Sequence, residues 1–242
     1  MNLGNTCWGN AVLAVLSKVH IFRAWTQCHV DEVQDGHNRD ECPLCQLNHD
    51  LRLLPERPSK QTHTFKPLTM LSRRHWCEAF NNRKQQDAYQ ACNVLIGACD
   101  EVNRNRVRAL LAANNEPPVL SPELRATTPY YHIFGGTLLQ TITCDSCNGS
   151  STKEEPFALM TLPVLDGDGV TLDELIIAHH SEEPIPDECQ FQGCREADCR
   201  RQSYRVATWP RVLVIHLRRW NYNIAQGNAD KRKEHVEFGE EF

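Results

Sequence analysis

Apolar residues recur at helical spacing directly after a turn rich in Asn and Gly at the start of the chain. They follow Cys7 at intervals typical of one helix face, and they are Trp8, Val12, Val15, Leu16 and Val19. Asn5 and Thr6 carry side chains that cap helices well. The pattern predicts an amphipathic helix that begins within a residue or two of Cys7.

A second apolar stripe lies near the middle of the chain, with Asp87 at its N-terminal end. Its positions fall on one helix face, and they are Ala88, Cys92, Leu95, Ile96, Cys99 and Val102. We therefore expect a helix here, with both cysteines in the core. A separate helix is predicted from about Asn103 to Ala113, where the prolines from Pro117 onward break the pattern.

The periodicity changes after Tyr130. Alternating and β-branched runs dominate from residue 133, and turn dipeptides occur at 135–136 and 148–149. The clearest strand places Val212, Val214 and His216 on one face and the leucines and isoleucine between them on the other. We expect the second half to be largely antiparallel sheet. Helices followed by strands indicate an α+β fold.

Composition limits the classes of protein that fit. A chain of 242 residues with 40% hydrophobic content can bury a sizeable core, and we favour one domain with subregions. The net charge of -5 argues against nucleic acid as a partner. There is no signal peptide pattern and no apolar run of about 18 residues, so we expect no membrane partner and an intracellular protein of the cytoplasm or nucleus.

Twelve cysteines in a reducing compartment favour metal sites, core positions and a nucleophile over disulfides. Cys7 is the candidate nucleophile. A thiol in the first turn of a helix faces unpaired backbone N–H groups and the positive end of the helix dipole, both of which favour the thiolate. The alternative is a small buried residue at a helix start.

Two groups of cysteines have metal-ligand spacing. Residues 28–49 form a polar excursion in which Cys42 and Cys45 could grip one tetrahedral ion, with His49 four residues beyond and Cys28 or His37 to complete the site. The alternative is an ordinary loop with idle, reduced thiols. The second group begins with Cys144 and Cys147. Its second pair comes from three cysteines with looser spacing, which are Cys189, Cys194 and Cys199.

Four segments carry a family resemblance. They are NLGNTCW at residues 2–8, QQDA at 85–88, FGGTLLQTITCDSC at 134–147 and VATWPRVLVIHLRRW at 206–220. Together they resemble the ubiquitin-specific proteases, papain-like thiol enzymes that remove ubiquitin from proteins. The resemblance covers nearly the whole chain.

The resemblance implies a papain-like fold, present as a single incomplete catalytic domain. It has a helical thumb over residues 1–115, β fingers with a zinc ribbon over 130–205, and the start of an incomplete β palm over 206–242. Asn2 would help to stabilise the oxyanion, and Gln85 and Asp87 would hold the C-terminal tail of ubiquitin. The implied structural zinc ligands are Cys144, Cys147, Cys189 and Cys194, which leaves Cys199 as the spare. A possible second zinc would use Cys28, Cys42, Cys45 and His49.

The implied reaction is hydrolysis of the isopeptide or peptide bond after the C-terminal glycine of ubiquitin. Such a thiol protease needs an imidazole as base. In the family this histidine follows a glycine and precedes a tyrosine, and this chain contains no such motif. His216, in the palm strand, is expected to be a sheet residue.

The missing motif leaves two interpretations of the chain. Either it is a fragment whose further residues hold the base, or it is a short natural product without full activity. The alternative functions are a catalytically impaired ubiquitin-binding pseudoenzyme and a zinc-knuckle scaffold.

Overall fold

A computed structural model describes residues 7–33, 37–53, 87–167, 169–223 and 228–239. The chain divides into two compact units, Met1–Ile133 and Phe134–Phe242. In its described residues the first unit is helical and the second is mainly sheet, which confirms the α+β fold class. The finer division into thumb, fingers and palm stays a prediction.

The first unit is built from helices joined by short connections in its described part. The long helices are α1 (Cys7–Leu16), α2 (His20–Glu32), α3 (Pro43–Leu53) and α4 (Ala88–Ala113). Two short helices follow, α5 (Pro122–Ala126) and α6 (Pro129–Phe134). The polar excursion predicted over residues 28–49 is therefore wrong, because most of it belongs to α2 and α3.

Helix α1 begins at Cys7, as the sequence predicts. Its buried side chains are Trp8, Val12, Leu13 and Leu16. Val15 was expected on the same stripe but is 63% exposed. The buried face centres on Val12 and Leu16, so Val15 lies at its rim. The predicted caps, Asn5 and Thr6, lie outside the described residues.

Helix α4 runs without a break for 26 residues, so the separate helix predicted from Asn103 is wrong. No glycine or proline lies between Cys99 and Ala113 to end the first helix. Arg104 also forms ion pairs across the predicted boundary, to Asp100 at 3.0 Å and to Glu101 at 2.9 Å. Such i,i+4 and i,i+3 pairs stabilise a continuous helix.

The core of the first unit lies between α1, α2, α3 and α4, which pack against one another. Its fully buried side chains include Phe22, Leu44, Leu47, Leu95 and Ile96. Cys99 is fully buried, as predicted, whereas Cys92 is only half-buried. No helix in the described part of the chain is both long and apolar enough to cross a membrane.

The second unit contains a four-stranded antiparallel sheet in the order β2-β1-β6-β5. Its strands are β1 (Gly136–Cys144), β2 (Ser150–Phe157), β5 (Glu183–Ile185) and β6 (Arg200–Thr208). The hairpin of β8 (Trp220–Asn223) and β9 (Asn228–Lys231) is also antiparallel. These pairings agree with the predicted antiparallel sheet.

Two strand pairs are parallel, contrary to expectation. They join β3 (Leu159–Pro163) to β7 (Val214–Arg218), and β4 (Val170–Thr171) to β10 (Val236–Glu237). Parallel strands need a long crossover connection. Helix α7 (Leu172–His180) lies within the connection from β3 to β7. The alternation of apolar and polar residues along one strand does not indicate which strand it pairs with, so the parallel pairs could not be predicted from it.

Strands β3, β4, β7 and β10 and helix α7 enclose the core of the second unit. Its buried residues are Met160, Leu162, Val164, Val170, Leu175, Ile176 and Val236. His216 lies on β7 opposite Thr161 of β3, and its Nδ1 is 3.5 Å from the Thr161 hydroxyl. It is therefore a sheet residue, as the sequence predicts.

Candidate functional site

The candidate nucleophile and one candidate tail-binding residue both begin helices of the first unit. Cys7 is the first residue of α1, and Asp87 is the N-cap of α4, on which α1 packs. The Asp87 carboxylate accepts a hydrogen bond from the Tyr89 backbone N–H at 2.7 Å. Asp87 is also exposed to solvent. Asn2 and Gln85, the other candidate residues here, lie outside the described part of the chain.

The first unit also contains a compact cluster of metal-ligand side chains, which we call the His/Cys cluster. Its members are His29, His37, Cys42 and Cys45, whose ligand atoms all lie within 4.8 Å of one another. His29 Nε2 is 3.2 Å from Cys42 Sγ, and His37 Nε2 is 3.5 Å from Cys45 Sγ. Two imidazoles and two thiols at these distances match the donor set of a tetrahedral zinc site.

Secondary structure explains how this cluster forms. His29 lies on the buried face of α2, after Phe22 and Trp25, while Cys42 and Cys45 lie at the start of α3. Burial, with His37 adding to its effect, lowers the pKa of His29 to about 4. His29 is therefore neutral at physiological pH, the form in which an imidazole binds metal.

The sequence places Cys28 and His49 in this site, but neither belongs to the cluster. Successive residues on a helix point about 100° apart, so only one of Cys28 and His29 can face α3, and Cys28 is exposed. His49 lies one turn beyond Cys45, with its side chain 63% exposed and its Nδ1 3.5 Å from the Asp50 carboxylate. His29 is itself a polar residue on the apolar face of α2, and this position is the feature of the sequence that could have identified it as a member of the cluster.

The second unit contains a cluster of five cysteines, which we call the five-thiol cluster. The sulfurs of Cys144, Cys189, Cys194 and Cys199 lie within 4.8 Å of one another. Cys147 also belongs to it, because its sulfur is 3.9 Å from that of Cys189. The four predicted ligands therefore lie together, and Cys199, which the sequence leaves as a spare, joins them.

Backbone hydrogen bonds shape the first turn of this cluster. Asn148 N–H donates to the Cys144 carbonyl, and Cys144 N–H donates to the Gly149 carbonyl, both at 2.9 Å. The Cys147 backbone N–H is the main cause that lowers the pKa of Cys144 to about 6. A thiol with this pKa is largely ionised at neutral pH, and the thiolate is the form that binds metal.

The distances in the five-thiol cluster fit a metal better than a disulfide. A zinc–sulfur bond of about 2.3 Å sets the sulfurs of a tetrahedron about 3.8 Å apart, and Cys144 Sγ and Cys199 Sγ are 3.4 Å apart. A disulfide bond would bring them to about 2 Å. Both clusters therefore offer donor sets and spacings that suit a structural zinc ion.

Curated relatives match most of this chain at low identity. The chain is 25% identical over 252 residues to ubiquitin carboxyl-terminal hydrolase 25 of Arabidopsis thaliana, covering 99% of this chain and 35% of that protein. It is 25% identical over 226 residues to ubiquitin carboxyl-terminal hydrolase 36 of Drosophila melanogaster, covering 91% of this chain and 20% of that protein. It therefore spans about a third or less of these relatives.

A solved structure shares the fold. The SAGA Ubp8/Sgf11/Sus1/Sgf73 DUB module bound to ubiquitin aldehyde contains a chain that matches with a TM-score of 0.75 and 20% identity. The match covers 99% of this chain and 50% of the solved one.

The family model for ubiquitin carboxyl-terminal hydrolases matches residues 1–242. A match over all 242 residues, together with the shared fold, means that this chain belongs to the ubiquitin carboxyl-terminal hydrolase family.

Proposed function

We propose that this chain provides the nucleophile of a cysteine-type deubiquitinase, which hydrolyses the bond after the C-terminal glycine of ubiquitin. The observation that carries the proposal is the position of Cys7 at the first residue of α1, next in the fold to α4, which Asp87 caps at its N-terminus. This arrangement supports a thiolate beside a binding position for an extended peptide. Membership of the family gives the reaction class.

In the proposed reaction the Cys7 thiolate attacks the glycine carbonyl carbon. The electron pair moves to the carbonyl oxygen, and the Asn2 amide donates a hydrogen bond to it, which is worth about 3 kcal/mol of barrier in comparable sites. The leaving amine takes a proton from an imidazole, and water then hydrolyses the thioester. We propose that residues 1–242 do not include this imidazole, since the expected motif is absent and His216 is part of a strand.

Ubiquitin and its conjugates are the proposed partners. Gln85 and Asp87 would hold the extended tail of ubiquitin beside Cys7. The solved DUB module with the same fold was bound to ubiquitin aldehyde, which supports the assignment of ubiquitin as the substrate here.

Labelling with an electrophile tests this proposal. The 242-residue chain is treated with ubiquitin that carries a C-terminal electrophile, and mass spectrometry locates the adduct. We expect the adduct on Cys7, its loss in Cys7→Ala, and its retention in Cys28→Ala, the matched control with an exposed thiol in the same unit. An adduct on a different cysteine, or an undiminished adduct in Cys7→Ala, contradicts the proposal.

A second candidate function is ubiquitin binding without cleavage, which the absence of the histidine motif favours. Ubiquitin binding and formation of the Cys7 adduct, measured in parallel on the same preparation, distinguish the two. Saturable binding that Cys7→Ala leaves unchanged, with no electrophile adduct on Cys7 of the parent chain, would support a pseudoenzyme.

We propose zinc as a structural cofactor at both clusters. His29, His37, Cys42 and Cys45 would hold one ion between α2 and α3. In the second unit, thiols of the five-thiol cluster would hold the other at the ends of the β1 and β6 strands. In the second unit such an ion would stabilise hairpin strands that have little core of their own. Elemental analysis of the purified chain should find two zinc ions per chain, and a value near zero contradicts both assignments.

We propose an intracellular location because the described cysteines are present as free thiols. The cysteines that the structure describes are all free thiols, and free thiols in such number are typical of reducing compartments.

A further inference from the structure

The five-thiol cluster contains one more thiol than a tetrahedral zinc ion can bind. We propose that Cys147 and Cys199 are interchangeable ligands, so that either one completes a four-thiolate site with Cys144, Cys189 and Cys194. This inference rests on the zinc centre proposed above for the second unit. It assigns a metal-binding role to Cys199, which the family resemblance leaves as the spare cysteine.

Distances allow both thiols to reach the fourth position. Cys199 Sγ is 3.4 Å from Cys144 Sγ, and Cys147 Sγ is 3.9 Å from Cys189 Sγ. Both values lie close to the sulfur separation of about 3.8 Å in a zinc tetrathiolate. Cys199 lies within 4.8 Å of the three sulfurs common to both arrangements, and Cys147 reaches the same site from the side of Cys189.

Strand register places Cys199 beside the metal site. Cys144 is the last residue of β1 and pairs with Arg200, the first residue of β6, so Cys199 lies opposite the turn that follows β1. The Asp145 backbone N–H donates to the Cys199 carbonyl at 2.8 Å, and an ion pair between Arg201 and Asp145, also 2.8 Å, supports the same contact. The position of Cys199 is thus set by the sheet.

Cys147 is positioned by a different structural element, the turn between β1 and β2. That turn is closed by the hydrogen bonds between Cys144 and the Asn148–Gly149 segment. Cys147 is partly exposed, whereas Cys199 is 9% exposed. Because the two thiols depend on different backbone contacts, loss of one side chain leaves the support of the other intact.

Each arrangement also accommodates the thiol that is not bound. When Cys147 holds the zinc, Cys199 keeps its proton and donates a hydrogen bond to the Glu196 carbonyl, 3.2 Å from its sulfur. When Cys199 replaces it, the Cys199 proton passes to solvent and the Cys147 sulfur takes one from solvent. Both forms contain four thiolates, one thiol and one zinc ion, so the exchange conserves charge and protons.

Single and double substitutions test the exchange. Cadmium is loaded in place of zinc, and cadmium NMR resolves the four-sulfur site from the mixed nitrogen–sulfur site of the His/Cys cluster. We expect Cys147→Ala and Cys199→Ala each to keep the four-sulfur signal. The double variant should lose it, as should the controls Cys144→Ala and Cys189→Ala, which remove a thiol common to both arrangements.

Loss of the four-sulfur signal in either single variant overturns the interchange, and so does its retention in the double variant. Absence of the four-sulfur signal from the parent chain would overturn the zinc centre itself. This result differs from a signal that is present in the parent chain and lost in one single variant, which overturns only the interchange.

A second measurement needs no variant and so does not depend on folding of a mutant. The zinc-loaded chain is treated briefly with an alkylating reagent, and mass spectrometry locates the modified thiol among the five. Within the five-thiol cluster we expect one modification per chain, divided between Cys147 and Cys199. Modification of Cys199 alone, or of Cys147 alone, would show a fixed ligand set and overturn the proposal.

Discussion

At the residue scale, the capping role of Asp87 can be separated from its proposed role in ubiquitin binding. Its carboxylate caps α4 through the Tyr89 N–H, and we propose that it also binds the ubiquitin tail. Asp87→Ala should lower the free energy of unfolding by about 1 kcal/mol, whereas Asp87→Asn should not, since asparagine caps equally well. If the charge binds the tail, both variants weaken ubiquitin binding.

Ubiquitin titration and denaturant unfolding of both variants check this prediction. Ser121→Ala is the matched control, because Ser121 caps α5 through the Leu124 N–H and has no proposed contact with ubiquitin. Full ubiquitin affinity in Asp87→Asn would limit Asp87 to a structural role.

Substitution by alanine should have opposite effects on stability at two glycines. A Cβ on Gly149 would lie 2.5 Å from the Phe191 Cβ and within 3 Å of its ring, whereas a Cβ on Gly97 of α4 meets nothing within 4 Å in the structure. Gly149→Ala should therefore distort the five-thiol cluster, lowering stability by about 1–3 kcal/mol and weakening zinc binding. Gly97→Ala should raise stability by about 1 kcal/mol. Thermal unfolding and zinc content measure both, and a neutral Gly149→Ala would contradict the packing.

The candidate metal ligands show what residue spacing can and cannot predict. The CxxC pairs, Cys42 with Cys45 and Cys144 with Cys147, were identified from sequence, since a tight spacing places two thiols together in almost any backbone. His29 and Cys199 could not be assigned in this way, because helix rotation and strand register bring them to the clusters. Distant ligands depend on tertiary structure.

At the element scale, helix α7 is held at its start by a capping box. Glu174 accepts from the Thr171 N–H at 2.8 Å, and Thr171 Oγ1 accepts from the Glu174 N–H at 3.2 Å. The Thr171 N–H, and the Thr171 hydroxyl that donates to the same carboxylate at 3.0 Å, lower the pKa of Glu174 from its ordinary value of 4.5. A carboxyl with a lowered folded-state pKa adds stability above its unfolded-state pKa, and that stability is lost as pH falls through the folded-state value.

Glu174→Gln should therefore be less stable than the parent chain at pH 7, and the difference should disappear when the pH is well below 4.5. Denaturant unfolding at both pH values measures it. Asp173→Asn, in the same first turn of α7, controls for the change in net charge alone. An equal difference between parent and Glu174→Gln at both pH values would show that the carboxylate does not contribute through this box.

Secondary structure was predicted best where local apolar periodicity alone determines the element. The start of α1 and the apolar stripe of α4 follow from local periodicity, and both were found. The continuity of α4 through Asn103 and the parallel pairing of β3 with β7 were missed. The continuity of α4 depends on ion pairs across the predicted helix boundary. The pairing of β3 with β7 depends on a connection of some fifty residues. An apolar pattern encodes neither of these.

At the scale of the whole molecule, each compact unit has its own core and its own proposed zinc site. The His/Cys cluster lies between α2 and α3 in the first unit, and the five-thiol cluster lies at the ends of β1 and β6 in the second. Since each ion would join elements within one unit, we expect removal of one ion to loosen that unit alone.

Hydrogen exchange with mass spectrometry can test this independence. Cys42→Ala should increase exchange in α2 and α3 and leave the β1, β2 and β6 amides protected, whereas Cys189→Ala should do the reverse. Cys28→Ala, an exposed thiol of α2, should change neither pattern. Local opening is expected because cooperative units of a protein open with separate free energies. If either metal-site variant instead raises exchange equally across both units, the two units unfold as one and the ions stabilise the molecule as a whole.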